Sequence, residues 1–261
     1  MTGLIAAEWL KFHSVRATRI VACVIPASIA GGAALTWYVA DTWDKMAPAD
    51  RDQVSIASVE EITLSVSQLC FAILGVLAMT AEYKTGLIRS TFTAVPSRRL
   101  VLAAKAIVLA ATALVVGTAT SVLTYLVCDA VIGERPIPYY DQPAEPAALL
   151  TAGPSTLVFA MIGLGLGTLM RSAAGAITAI VGLWYVLPIV ALNLPVPWDS
   201  RVGSVLLTRL DAQLAGVDLV AKYGEGMPAA LLSPLAAAIA MAAYIAAALI
   251  PATLTIRRDL R

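Results

Sequence analysis

The chain has 261 residues, 59% of them hydrophobic and 13% charged, with a net charge of +1; its mean hydropathy is +0.83. Soluble domains carry about 25% charged residues, so these values exclude an ordinary water-soluble enzyme, and they exclude a disordered chain, which needs low hydrophobicity and high charge. The near-neutral balance leaves no electrostatic footprint for nucleic acid, and what remains is an all-α membrane protein, one transmembrane domain over residues 1–261.

Residues 1–19 read as an interfacial helix. Ile5, Trp9 and Phe12 recur at i, i+4 and i+7 and share a face, while Glu8, Lys11, His13, Arg16 and Arg19 take the others. Such a helix sinks its apolar side into the headgroup boundary of membrane lipid; a plain cytoplasmic extension of the first span is the alternative. Six segments then reach the roughly 20 apolar residues needed to cross about 30 Å of hydrocarbon. They are 20–40, 62–81, 100–132, 149–170, 173–194 and 229–256. The third is long enough to extend beyond the bilayer or to tilt within it. The break at Arg171–Ser172 predicts a tight hairpin of spans four and five. Trp37, Tyr38 and Val39 before Ala40 are too bulky for a signal-peptidase site.

Charge sets the expected direction. With the N-terminus inside, the inner segments hold 12 of the 18 basic residues and three of the 17 acids. The excess of Lys and Arg decides orientation, so both termini are expected in the cytoplasm. The loop 82–99 is the largest inner connection. Leu87, Ile88, Thr91, Phe92 and Val95 recur at helical spacing, with Gly86 before them and Pro96 after. The positive-inside rule explains the arginines here but not an apolar helical face, which calls for a partner protein or the lipid interface. The outer loop 195–228 carries Val202, Leu206, Leu210, Leu214 and Val217 at steps of three or four. It predicts one or two amphipathic helices resting on or dipping into the outer leaflet, broken by Gly224, Gly226 and Pro228. The outer loops 41–61 and 133–148 are acidic, and the second is proline-rich and irregular.

Little in the sequence carries bond-making chemistry. His13 is the lone histidine, and Cys23, Cys70 and Cys128 are scattered in apolar runs, so no metal site is predicted. No GxxxxGK[ST] occurs, so the chain has no P-loop for ATP. Gly163 and Gly167 form a GxxxG pair suited to close helix packing. Lys105, near the inner end of span three, can snorkel to the interface, and Asp129 lies near the outer end. Span two is the most polar, with Ser65 and Gln68 projecting to one side, and span five offers Trp184, Tyr185 and Pro188. Polar groups in lipid face protein or a cavity. Ser65, Gln68, Trp184 and Tyr185 are therefore candidates for lining a pathway, with helix-to-helix bonding as the equal alternative.

The N-terminal helix, the EYKTGLIRSTFTAVPSRR loop, the span four–five hairpin and the long loop before span six together resemble the membrane subunits of type-2 ATP-binding cassette (ABC) transporters. The resemblance covers essentially the whole chain and is most specific in the loop after span two. It implies that Glu82, Tyr83, Lys84, Thr85, Gly86, Arg89, Thr91 and Pro96 form a cytoplasmic coupling helix that inserts into a separate ATP-binding ABC subunit; Phe92 is the largest apolar residue of that segment. It implies that the N-terminal helix braces this element, that spans two and five line the path, and that the outer helices close it. ATP and Mg would belong to the partner, this chain having no cofactor or catalysis of its own. One six-span chain makes half a pathway, so a homodimer, or a heterodimer with a similar permease, is implied. The expected function is a permease subunit of an exporter in a bacterial plasma membrane; Arg outnumbers Lys 13 to 5, a hint of a GC-rich genome. A non-transporting anchor that passes ATPase motion to an external partner is the alternative. An intramembrane enzyme lacks a Ser–Lys pair at a shared depth.

Overall fold

Backbone groups in lipid must be satisfied within the chain itself, so long apolar runs become helices. The computed structural model describes residues 2–53, 59–87, 97–137, 146–195, 197–217 and 232–258. Among them every regular element is helical, and six helices are long and apolar enough to cross a membrane. Helix α1 (Thr2–Ser14) leads into α2 (Arg16–Lys45), followed by a 3-10 turn (Pro48–Gln53) and α3 (Val59–Thr85). Then come α4 (Arg98–Ile132) and α5 (Pro146–Met170). Span five is built from α6 (Ala173–Val181), a π-helical turn (Gly182–Val186) and α7 (Leu187–Leu192). Two short helices, α8 (Trp198–Val205) and α9 (Leu207–Ala215), precede α10 (Pro234–Arg258).

All six predicted spans are present, and their ends differ for local reasons. Span one starts at Arg16 rather than 20, because Arg16 and Arg19 both stay exposed on the continuing helix. Span six starts at Pro234 rather than 229. Ser233 precedes it, its Oγ accepting from the Ala236 N–H at 3.3 Å, and proline at the first helical position gives up an N–H that had no partner. Helix α4 has 35 residues, about 50 Å at 1.5 Å per residue, which is longer than the roughly 30 Å of hydrocarbon. The turn between spans four and five is as tight as its two-residue break predicts. Arg171 takes a left-handed φ of 53°, and the Ser172 side chain caps α6 by accepting from the Gly175 N–H.

Helix α5 is the centre of the bundle. Glycine lets α3 press against it: a methyl on Gly75, Gly163 or Gly167 would run into the backbone of Ala160, Ala72 or Val76 respectively. Gly117 and Gly153 do the same between α4 and α5, and Gly165 lets Ala248 of α10 sit close against α5. Because the spans alternate in direction, α1 and the last turns of α10 lie at one end of the bundle, where Phe12, Tyr83, Leu102 and Ile256 share an apolar cluster. At the other end Arg135 bonds both carboxylate oxygens of Asp44, with its Nη2 2.9 Å from Oδ2, and its Nη1 caps the last carbonyls of α4. That pair, more than a third exposed on each side, is screened by solvent.

The reading of 195–228 needs correction in one respect. Helices form there, but their apolar face does not meet lipid: Leu206, Leu207 and Leu210 are buried, and Leu207 and Leu210 pack with Phe159, Trp184 and Met241 of spans four, five and six. Gln213, 1% exposed, fixes them further, donating to Ser204 O and accepting from the Leu232 N–H. Gly224, Gly226 and Pro228 lie outside the described residues, as do residues 138–145 of the proline-rich loop.

Candidate functional site

Span two ends where several elements meet. Glu82 comes one turn before the left-handed Gly86 (φ 72°) that follows α3. Its side chain points back into the protein and meets charges from two other helices. Lys105 Nζ, on α4, lies 2.7 Å from Glu82 Oε1 and 2.7 Å from Glu8 Oε2 on α1. Lys11 Nζ bridges the same two acids, 3.0 Å from Glu8 Oε1 and 3.1 Å from Glu82 Oε1. Two carboxylates and two ammoniums thus form one neutral cluster that pins α1 to the ends of spans two and three.

Three of the four side chains are nearly dry: Glu8 is 4% exposed, Lys105 6% and Glu82 10%. Lys105 therefore does not snorkel to the interface. Its four-carbon stem turns inward to acids contributed by other helices, since a buried ammonium is costly without opposite charge and hydrogen bonds. Lys11 sits at the rim. Burial pulls its ammonium down, but hydrogen bonds to Glu8 and then Glu82, with their charges, outweigh this and hold it above the usual lysine value.

The cluster also fixes how α1 lies. Glu8 and Lys11 face the protein, and Ile5 and Phe12 are partly buried beside them. Trp9 and Leu10 turn outward, 45% and 70% exposed. Trp9 thus does not share the burial of Ile5 and Phe12, because the buried acid at position 8 sets the rotation of the helix.

Tyr83 makes the second junction. The Arg171 guanidinium lies over its ring, 5.3 Å from the centroid, so the turn between spans four and five touches the end of span two. Lys84, Thr85 and Gly86 are exposed. Arg89, Thr91, Phe92 and Pro96 lie outside the described residues.

Of the pathway candidates, two face span four. Gln68 donates to Ser155 Oγ at 2.8 Å in a buried bond, and Trp184 packs on Phe159 with ring centroids 4.3 Å apart. Tyr185 is exposed and Ser65 is half-buried. The structure adds a feature the sequence reading missed. Trp184 and Tyr185 sit in a π-helical turn in which the Leu187 N–H bonds Gly182 O, five residues back. Pro188 follows, with no N–H to give. Its presence in an apolar run was no discriminating signal, because Pro26, Pro154 and Pro251 lie in apolar runs that stay α-helical. No group of three His, Cys, Asp or Glu side chains among the described residues is arranged to hold a metal.

Comparison with protein-family models found no match, and comparison with curated proteins found no similar sequence. The geometry therefore carries the functional argument alone.

Proposed function

We propose that this chain is the permease subunit of an ATP-driven exporter of the type-2 ABC class, working as a dimer with a separate ATPase subunit. The observation that carries the reading is the convergence at Glu82–Tyr83. The segment that would receive the ATPase is tied by charge to α1 and α4, and by Tyr83 and Arg171 to the turn between spans four and five. A push on residues 84–99 at the cytoplasmic face would reach three parts of the bundle at once. ATP binding would close two ATPase subunits, and their movement would shift the spans as rigid bodies and alternate access to the path. Close packing of α3 on α5 through Gly75, Gly163 and Gly167 supports such rigid movement.

The test begins with photo-crosslinking from Lys84 in native membranes. It should capture an ABC-type ATPase, and the pair reconstituted in liposomes should couple ATP hydrolysis to cargo movement. Capture of no ATP-binding subunit, or stoichiometric ATP binding by this chain alone, refutes the proposal. Hydrolysis without movement of any cargo assigns the chain as an anchor instead.

A further inference from the structure

The charge cluster forms one end of a cavity. The cavity, about 350 Å³, lies between α1, the start of α2, the last turns of α3 and the early turns of α4. Its volume falls in the range of small-molecule sites, about 300–1,000 Å³. Its chemistry changes along its length. Toward the bundle middle the walls are Leu74, Leu77, Ala78, Val108 and Leu109; toward the helix ends they become Glu8, Lys11, Glu82 and Lys105. From Leu74 to Glu82 the axial distance is about 12 Å, at 1.5 Å per residue. The apolar end therefore lies deeper than the charged end along the axis of a span. A bilayer lipid has the same polarity in the same direction, with its head at the interface and its chain inward.

The charged end offers both signs. Both lysines bond Glu82 through Oε1, which leaves Oε2, among the described residues, for a donor in the cavity that Glu82 lines. Lys11 uses two of its three ammonium hydrogens on Glu8 and Glu82 and is 44% exposed at the rim. An acceptor can meet the third. The small residues Ala78 and Ala81 keep the wall on α3 open.

We infer that this cavity is a binding site for a zwitterionic phospholipid. One acyl chain fills the apolar part against Leu74, Leu77 and Leu109. The headgroup ammonium donates to Glu82 Oε2, and the phosphate accepts from Lys11. A headgroup with an anion alone would leave Glu82 Oε2 unmatched, so phosphatidylethanolamine is preferred over phosphatidylglycerol. The bound lipid becomes part of the wall between α1 and span two. This inference rests on the membrane-spanning reading alone and stands or falls independently of any ATPase partner.

The experiment is native mass spectrometry of the full chain in detergent, titrated with phosphatidylethanolamine and phosphatidylglycerol separately and as an equal mixture. The wild type should saturate at one phosphatidylethanolamine per chain and favour it in the mixture. Ala78→Phe fills the apolar part and should weaken retention by about tenfold, the loss expected when about two methylenes stay unburied. Ala81→Phe, at an exposed position of the same wall, repeats the test with less demand on folding. Glu82→Gln removes the anion and should reverse the preference toward phosphatidylglycerol. Retention unchanged in folded Ala78→Phe and Ala81→Phe overturns the site. So does a wild-type preference for phosphatidylglycerol, or non-saturating uptake that marks lipid held only around the bundle. If neither alanine variant folds, the wild-type titration decides by itself, and absence of saturation at one per chain overturns the inference.

Discussion

Lys105→Met isolates what the buried charge cluster does. The variant keeps the length and apolar stem of the side chain and removes one charge. Two carboxylates, 4% and 10% exposed, then face each other with Lys11 at the rim as their remaining cation. Removing one partner of a buried ion pair costs about 3–5 kcal/mol, because the other is left buried and uncompensated. Lys11 is 44% exposed, so its share is screened by solvent and recovers little of that cost. The loss falls where the cluster acts, on the docking of α1 against α3 and α4. The assay is amide hydrogen exchange over Thr2–Ser14 in lipid-supplemented detergent. At 1.4 kcal/mol per tenfold, the opening equilibrium of α1 should rise by roughly two to three and a half orders of magnitude, up to the limit of free exchange. Glu82→Gln combined with Lys105→Met removes one charge of each sign, leaves Glu8 with Lys11, and should recover a large part of the protection. Unchanged exchange in Lys105→Met would refute the reasoning. A double variant no better protected than the single would refute it as well.

Three further outcomes follow from other parts of the bundle. Gly163→Ala places a methyl against the Ala72 backbone and should destabilise the protein by about 1–3 kcal/mol or more in thermal unfolding, whereas Gly31→Ala, with open space around it, should change little. Cysteines introduced at Asp50 and Gln142 should react with an impermeant thiol reagent from outside the cell and one at Ser97 only from inside; labelling of Ser97 from outside would reverse the orientation expected from the basic residues. The raised value of Lys11 means its contribution to α1 docking is complete below the unfolded lysine value of 10.5 and is lost as pH rises through the higher folded value, so Trp9 fluorescence should report no release of α1 between pH 7 and 10 through this lysine.

The spans were readable because each is a continuous apolar run, and the hairpin because Arg171–Ser172 interrupts one. The GxxxG spacing of Gly163 and Gly167 likewise announced a close helix approach, and the structure shows that the partner is α3. The charge cluster was not readable by pattern. Glu8, Glu82 and Lys105 are far apart in sequence, and each has an innocent local explanation on the polar side of a helix or near a helix end. The usable clue was Lys105 itself: it stands seven residues inside α4, deep enough in an apolar run to require an acid from another helix. The apolar period between spans five and six matches the helices Trp198–Val205 and Leu207–Ala215, but period alone does not distinguish a lipid surface from spans four, five and six as the covering partner.

Span five has a mechanical property set by its π-helical turn and the proline that follows it. A continuous α-helix carries force along its axis because every turn is tied to the next by evenly spaced bonds. Here the ties are reset over Gly182–Val186, and the proline at 188 withholds the next one. The helix is thus two short rods meeting at a compliant collar. Tilt applied at Arg171 would reach Ala173–Val181 directly and Leu187–Leu192 only through the collar. The collar falls at Trp184, whose ring is held by Phe159 of the neighbouring span, so the joint has a fixed fulcrum. A swing of one half of span five on that fulcrum would be passed only in part to the other half.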